Sequence, residues 1–137
     1  MQVHQRQPAQ ATIELILVIP GLLLGLFLIT AVGLVARADG EVAGVAVEAA
    51  RAGALVARAS DVDHAALDRA QAVAAGYRMN LKRLDVAVDS SEFGRGGLVR
   101  VQVSYALPLE SLPLIGWGTI QLQHRAVEPV DAFRSLP

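Results

Sequence analysis

The chain has 137 residues, of which 53% are hydrophobic and 18% charged, and its formal net charge is -1 at pH 7. This length accommodates one globular domain, and the apolar content excludes a disordered chain. The near-neutral balance excludes a strongly basic protein that attracts nucleic acid by its bulk charge. Cysteine is absent, which excludes disulfides, thiolate zinc sites, iron–sulfur clusters and a cysteine nucleophile.

The apolar residues are concentrated near the N-terminus. From Leu15 to Ala36 the chain has 22 consecutive residues without a charge. As a helix this segment is roughly 33 Å long, slightly more than the ~30 Å hydrocarbon core of a bilayer. We interpret it as a transmembrane span over residues 15–36. Two alternatives are a cleaved secretory signal, with Ala36-Arg37-Ala38 as the cleavage site, and a core helix of a soluble protein.

Proline and glycine within this helix predict a local distortion and close helix packing. Pro20 lacks an N–H and is expected to kink the helix or loosen its first turns. Gly21 and Gly25 form one G-x-x-x-G pair, and Gly40 and Gly44 form a second. Such pairs allow two helix backbones to approach closely in lipid, so we expect these positions to take part in helix packing.

The helix is expected to continue beyond the span, because no strong turn signal precedes Ser60. We therefore predict one long helix over residues 10–60. Its outer half has a narrow charged stripe, and its other faces carry mainly small residues. The stripe consists of Arg37, Glu41, Glu48, Arg51 and Arg58. Counting arginines on either side of the span does not settle its orientation.

A small α+β domain is predicted after this helix. Ser60 is expected to cap a second helix that reaches about Met79. Period-two alternation then predicts strands over 84–89, 99–105 and 120–127, with 90–97 as a loop and Pro108 ending the second strand. The fold class is thus α+β, with a long N-terminal helix, a short helix and a three-stranded antiparallel sheet.

The stretch between the second and third strands is a loop with several large apolar residues. Two interpretations remain open for them: they fold back over the sheet, or they contact a partner. The residues concerned are Leu112, Leu114, Ile115 and Trp117.

No pattern in the sequence points to catalysis. His4, His64 and His124 share no metal-ligand spacing. The glycine-rich stretch 94–97 lacks the Lys-Ser/Thr and the helix start of a phosphate loop, and the chain has no nucleophile elbow. The acidic residues near Asp61 are interpreted as helix-capping charges. We expect no enzyme, no cofactor and no metal.

The residues at the start of the apolar helix resemble a known N-terminus. Gln10-Ala11-Thr12-Ile13-Glu14-Leu15, followed by an apolar helix containing Pro20, resembles the type IV prepilin signal of the TadE-like pseudopilins from tight-adherence (Tad) pilus systems. The resemblance implies a leader over residues 1–9, which a prepilin peptidase removes by cutting between Ala9 and Gln10. Ala9 stands where the family usually has glycine, and Pro8 precedes it.

The same resemblance implies a pilin-like fold and a role for Glu14, which would neutralise the new N-terminal amine and set the register between subunits. It implies a single-pass protein of the cytoplasmic (inner) membrane, or of the pilus, with a cytoplasmic N-terminus and an extracytoplasmic domain over 61–137. The implied partners are the prepilin peptidase, other pilin or pseudopilin subunits, inner-membrane pilus assembly proteins and the lipid bilayer, but no nucleic acid. Whether such a subunit enters the filament, caps it or primes assembly stays open.

Two functions remain that do not depend on this resemblance. The chain could be an uncleaved single-pass membrane protein whose outer domain binds a ligand or partner. It could also be a secreted domain that is released after Ala38. The start of the mature chain distinguishes all three possibilities.

Overall fold

A computed structural model describes residues 8–110, 112 and 116–132, with side chains from Glu14 onward. Its elements, in chain order, are α1 (Pro8–Leu55), α2 (Ala59–Gly76), a 3-10 turn (Leu81–Arg83), β1 (Leu84–Glu92), β2 (Leu98–Pro108) and β3 (Thr119–Pro129). The predicted α+β class is confirmed, with a long N-terminal helix, a second helix and a three-stranded antiparallel sheet. The chain divides into an N-terminal unit, Met1–Leu34, and a C-terminal unit, Val35–Pro137.

The N-terminal unit contains the first half of α1. The helix is assigned without a break through Pro20, although this residue leaves the carbonyl of Ile16 without its usual N–H donor. The expected loosening at Pro20 therefore does not interrupt the helix. Strong helix formers such as Leu22, Leu23 and Leu24 follow directly, and they support continued winding.

The boundary between α1 and α2 differs from the prediction. The first helix ends at Leu55 rather than near residue 60, and α2 begins at Ala59 after an extended Arg58. Ser60 is not the N-cap, since its hydroxyl donates to Asp61 Oδ1 at 3.0 Å. Tertiary packing explains the earlier end. The second helix must reverse soon enough for Val62 to lie against Gly53, where a Cβ would be 3.2 Å from Val62 Cγ1.

The second helix ends at Gly76, three residues earlier than predicted, in a hydrogen-bonded C-terminal turn. Arg78 adopts a left-handed conformation with φ of 59°. Its N–H donates to Ala75 O, and the Met79 N–H donates to Ala74 O, both at 2.9 Å. These two bonds form a Schellman motif, in which glycine is the usual left-handed residue.

The sheet has the order β1-β2-β3, with β2 at its centre. Val101 on β2 lies opposite Val88 on β1 and Ala126 on β3. The predicted second strand ends at Pro108, as expected. The first strand is longer than predicted, because its pairing with β2 continues through an irregularity between Asp89 and Glu92. Within this stretch the Ser90 hydroxyl donates a 3.0 Å hydrogen bond to Asp63 Oδ1 on α2.

The core of the C-terminal unit is built mainly from small side chains. Alanines on both helices and valines on β2 are fully buried, and Gly53 lies among them. A Cβ on Gly53 would be 3.1 Å from Val99 Cγ1, so glycine allows the end of α1 to approach β2 closely. The fully buried core residues include Ala49, Ala50, Ala66, Ala70, Ala74, Val99, Val101 and Val103.

Candidate functional site

The N-terminal unit exposes large apolar side chains along its whole described length. Five consecutive residues from Leu15 to Ile19 are all exposed, so no face of the helix is covered over this stretch, whereas Phe27, Ala31 and Leu34 further along are half-buried. The segment belongs to one helix that is long and apolar enough to cross a membrane, a property shared by membrane spans and signal sequences. The exposed residues are Leu15, Ile16, Leu17, Val18, Ile19, Leu22, Leu23, Leu24, Leu26, Leu28, Ile29 and Val32.

Thr30 is the one residue with a polar side chain between Leu15 and Ala36. Its hydroxyl donates a 2.9 Å hydrogen bond to the carbonyl of Leu26, one turn earlier in α1. An unsatisfied hydroxyl costs free energy in hydrocarbon, and this bond back to the helix removes that cost. The apolar segment therefore has no unpaired side-chain hydroxyl, a feature that depends on the side-chain geometry and not on the sequence pattern.

The residues of the predicted processing site lie at the start of α1. Ala9 and Gln10 belong to its first turn, but their side chains, and residues 1–7 of the predicted leader, lie outside the described residues. Glu14 follows Gln10 by four residues, or one helical turn. Its side chain is exposed, and it stands immediately before the charge-free segment.

The predicted packing glycines fall into two groups. A Cβ added to Gly21, Gly25 or Gly40 would meet no atom within 4 Å. These three positions are open in the single chain, and their packing role stays a prediction. Gly44 instead contacts its own domain, because a Cβ there would lie 3.1 Å from the hydroxyl oxygen of Tyr77.

Charged side chains begin directly after the charge-free segment. Arg37 Nε donates to Glu41 Oε1 at 2.8 Å, and this hydrogen bond raises the pKa of Arg37 above its usual value. Two residues later, Asp39 Oδ1 lies 2.8 Å from His124 Nε2 on β3. This second contact joins residues 85 positions apart, so no local sequence pattern could have predicted it.

Ion pairs also join elements of the C-terminal unit. Arg69 Nη2 on α2 donates to Glu48 Oε2 on α1 at 2.6 Å, which lowers the pKa of Glu48 below its ordinary value of 4.5. On the outer sheet face, Arg100 Nη2 donates to Glu92 Oε2 at 2.8 Å, and this bond raises the pKa of Arg100. Because these side chains are partly exposed, each pair is expected to contribute only a little to the stability of the packing.

The two described histidines, His64 and His124, contact different carboxylates. His64 pairs with Asp68 at 3.2 Å and His124 with Asp39 at 2.8 Å, while His4 lies outside the described residues. Among the residues that the structure describes, no three His, Cys, Asp or Glu side chains are grouped to hold a metal ion.

The two described ends of the apolar loop differ. Leu112 is buried, with 5% of its surface exposed, whereas Trp117 is 81% exposed. Leu114 and Ile115 lie outside the described residues. The loop is closed by a hydrogen bond from the Leu109 N–H to Gly118 O at 3.1 Å. Leu112 is thus shielded from solvent, whereas the side chain of Trp117 is exposed to solvent.

Comparison of this chain with protein-family models, curated proteins and solved structures gave no match.

Proposed function

We propose that the chain is a minor, TadE-like pseudopilin of a Tad-type pilus, a structural or assembly component that a prepilin peptidase processes. In this proposal residues 1–9 are the leader, and the peptidase cuts between Ala9 and Gln10. Residues 15–36 anchor the chain in the cytoplasmic membrane, with the N-terminus in the cytoplasm. The C-terminal unit lies outside and contacts other pilin-like subunits or assembly proteins.

The position of Glu14 carries the proposal. An exposed carboxylate directly precedes 22 charge-free residues, one helical turn after the proposed new N-terminus. Cleavage before Gln10 would create an ammonium group within reach of this carboxylate, either on the same chain or on a neighbour. In a medium of low dielectric constant the two charges attract strongly, so their pairing would favour one axial register between subunits.

The division of α1 supports the same proposal. Most large apolar residues of its first half are exposed, and its second half is buried against α2 and the sheet through small residues such as Val42, Val45 and Ala49. One continuous helix therefore combines a lipid-compatible surface with the core of a folded domain. This combination suits a subunit that is anchored in a membrane before it is assembled into a pilus.

The alternative is an uncleaved single-pass membrane protein with an extracytoplasmic binding domain. The same exposed apolar helix favours it, because anchoring alone requires the span and does not require Glu14. The two functions differ in the start of the mature chain and in the importance of that carboxylate.

The first experiment determines the N-terminus and intact mass of the protein recovered from membranes, with and without a prepilin peptidase. A chain that begins at Gln10 only in the presence of the peptidase is the expected result. A chain that begins at Met1 under both conditions would overturn the pseudopilin proposal in favour of the anchor. A soluble chain that begins at Asp39 would show that the apolar helix is a signal.

The second experiment replaces the carboxylate while keeping its size. Glu14→Gln is expected to abolish pilus assembly and to leave membrane insertion intact, because only the charge is lost. Glu110→Gln, a matched change at an exposed glutamate of the C-terminal unit, is the control and is expected to assemble normally. Normal piliation in the Glu14→Gln variant would contradict the proposed role.

A further inference from the structure

The sheet of the C-terminal unit ends in two edge strands, β1 and β3, each of which pairs only with β2 within the described part of the chain. Directly after β3, the Val130 N–H donates to Gly97 O at 2.8 Å. Directly before β3, Gly118 O accepts from the Leu109 N–H at 3.1 Å. Since the backbone groups of successive residues point to opposite sides of a strand, even-numbered residues of β3 face β2 and odd-numbered ones face the free edge.

The free edge of β3 is regular and unprotected. Its pairing with β2 continues without an irregularity from Thr119 to Pro129, and these residues include no lysine and no proline before Pro129. Edge strands commonly carry such residues, or bulges, that prevent pairing with another chain. The edge can therefore accept a further strand. The residues whose backbone N–H and C=O groups point outward are Thr119, Gln121, Gln123, Arg125 and Val127.

The free edge of β1 carries complementary charges. Odd-numbered residues of β2 face β3, so even-numbered ones face β1, and their partners on β1 are odd-numbered, as Ala87 is opposite Gln102. Even-numbered residues of β1 therefore face its free edge. Asp85 and Asp89 are exposed on the outer face of the sheet. The residues that face the edge, with side chains half-buried against the core, are Leu84, Val86 and Val88.

The register through β2 shows which residues of the two edges lie at the same level. Arg125 is paired with Gln102, and Gln102 with Ala87, so Arg125 and Ala87 share one row across the sheet. If β1 of a second copy is placed beside β3 at the same level, its Ala87 lies next to Arg125. Asp85 and Asp89 of that copy then lie on either side, on the same face, where diagonal neighbours are within reach of a long side chain.

The same placement satisfies the backbone groups. The strands β1 and β3 run in the same direction, because both are antiparallel to β2. In a parallel pair, a residue that faces its partner strand bonds to the residues on either side of the one opposite to it. Arg125 would thus bond to Val86 and Val88 of the second copy, whose backbone groups face their own free edge. A shift by one residue would lose these bonds and would place the charged side chains on opposite faces.

We propose that copies of this chain associate by adding β1 of one copy to β3 of the next in this parallel register, with Arg125 between Asp85 and Asp89. The inference deepens the proposed function, on which it rests for the presence of several copies in one membrane. Pairing β1 with β1 around Ala87 would place the two aspartates opposite each other, and pairing β3 with β3 would give Arg125 only uncharged neighbours or a second arginine. Because the contact joins two different edges, the assembly stays open, with successive copies rotated by about 60° through the twist of three strands.

The absence of cysteine allows the contact to be tested by disulfide cross-linking. Asp85 and Gln123 share one row, so in the proposed contact they lie opposite each other in two copies, about 5 Å apart. Within one chain they are two strand spacings apart, or about 10 Å, which is beyond the reach of a disulfide. The full-length double variant Asp85→Cys, Gln123→Cys is reconstituted into phosphatidylcholine vesicles and oxidised with copper–phenanthroline. We expect a ladder of dimers, trimers and larger oligomers on a non-reducing gel.

Two controls separate this contact from other encounters. The double variant Asp85→Cys, Gln71→Cys moves one cysteine to an exposed position on α2 and should give no ladder. An equal ladder from this control would overturn the proposal, since random collisions would then explain the cross-links. Efficient dimer formation by Gln123→Cys alone would also overturn it, in favour of pairing between two β3 strands.

Reversing the charge of Arg125 tests the proposed register. In the Asp85→Cys, Gln123→Cys background, Arg125→Glu should reduce the yield of oligomers about fivefold, because attraction to Asp89 of the next copy becomes repulsion. Arg95→Glu, the same change at an exposed arginine between β1 and β2, should leave the yield unchanged. Equal yields in these two variants would overturn the register, provided that each shows the circular dichroism spectrum of the original chain.

The N-terminus of the cross-linked protein separates failure of this inference from failure of the proposed function. A ladder formed by chains that still begin at Met1 in the presence of the peptidase would support the contact and overturn the pseudopilin proposal. Chains that begin at Gln10, float with the vesicles and form no ladder would overturn the contact alone.

Discussion

The two halves of α1 use apolar residues in opposite ways. Before residue 35 the side chains are mostly leucine and isoleucine, and most of them are exposed; Leu17 is 81% exposed. After residue 35 alanine, valine and glycine predominate, and Val42, Val45 and Ala49 are completely buried. Large side chains fill a fluid lipid environment without needing shape complementarity, whereas small ones allow α1, α2 and the sheet to pack closely. Side-chain size, rather than hydrophobicity alone, distinguishes the exposed half of α1 from the buried half.

Charging the exposed half should have the largest effect. The double variant Leu24→Arg, Ile29→Arg adds about 3 kcal/mol per arginine to the free energy of insertion, or roughly four orders of magnitude in partitioning for the pair. We expect it to be lost from the membrane fraction in carbonate extraction and vesicle flotation. The matched control, Val47→Arg with Val127→Arg, charges two exposed positions of the C-terminal unit and should float normally. Equal flotation of the two double variants would contradict a lipid environment for the first half of α1.

Enlarging a small residue in the buried half should have the next largest effect. Gly53→Leu places a side chain where even a Cβ would lie 3.1 Å from Val99 and 3.2 Å from Val62. Overpacking of this kind costs about 1–3 kcal/mol in the free energy of unfolding. Urea unfolding of the full chain in detergent micelles, followed by circular dichroism, measures the change. Gly40→Leu is the control, because its added Cβ meets no atom within 4 Å, and comparable destabilisation of both variants would show that close packing at Gly53 is not the cause.

The sequence alone predicts features that depend on local periodicity. The alternation of Val99, Val101 and Val103 with polar residues predicts β2 closely, and the charge-free run predicts the exposed helix. It does not predict features set by contacts between distant residues. The end of α1 places Gly53 against Val62, and the end of β1 carries a hydrogen bond between Ser90 and Asp63 on α2. Neither contact corresponds to a periodic pattern in the amino-acid sequence.

The sequence predicts some features of the candidate site and misses others. Glu14 and the glycine pairs are recognisable in the sequence because their chemistry is local, and the processing and assembly roles assigned to them stay predictions. The assignment of Gly44 to Tyr77 required the fold, since α2 brings that ring back beside α1. The exposure of Trp117 likewise required it, because apolar loop residues are buried or exposed according to tertiary context and not according to spacing.

A smaller, stabilising effect is expected at the end of α2. Arg78 holds a left-handed conformation with φ of 59°, which costs a residue with a Cβ about 1 kcal/mol relative to glycine. Arg78→Gly should therefore raise the free energy of unfolding by up to about 1 kcal/mol in the same urea assay. Arg78→Ala removes the same side chain but keeps the Cβ, so it should bring no gain. A gain in both variants would attribute the effect to loss of the arginine charge instead.

The smallest effect is expected from the ion pair that joins the two helices, and it depends on pH. The hydrogen bond from Arg69 lowers the pKa of Glu48 below 4.5 in the folded chain, so folding favours the ionised carboxylate. This contribution is fully present above the ordinary value and is lost as the pH falls through the lowered folded pKa. Glu48→Gln should consequently be slightly less stable than the original chain at neutral pH and should lose less stability on acidification. The contrary result would be parallel stability curves for Glu48→Gln and the original chain between neutral and acidic pH. Such curves would show that the ion pair does not stabilise the packing of α1 on α2, and the small apolar side chains would then account for that packing.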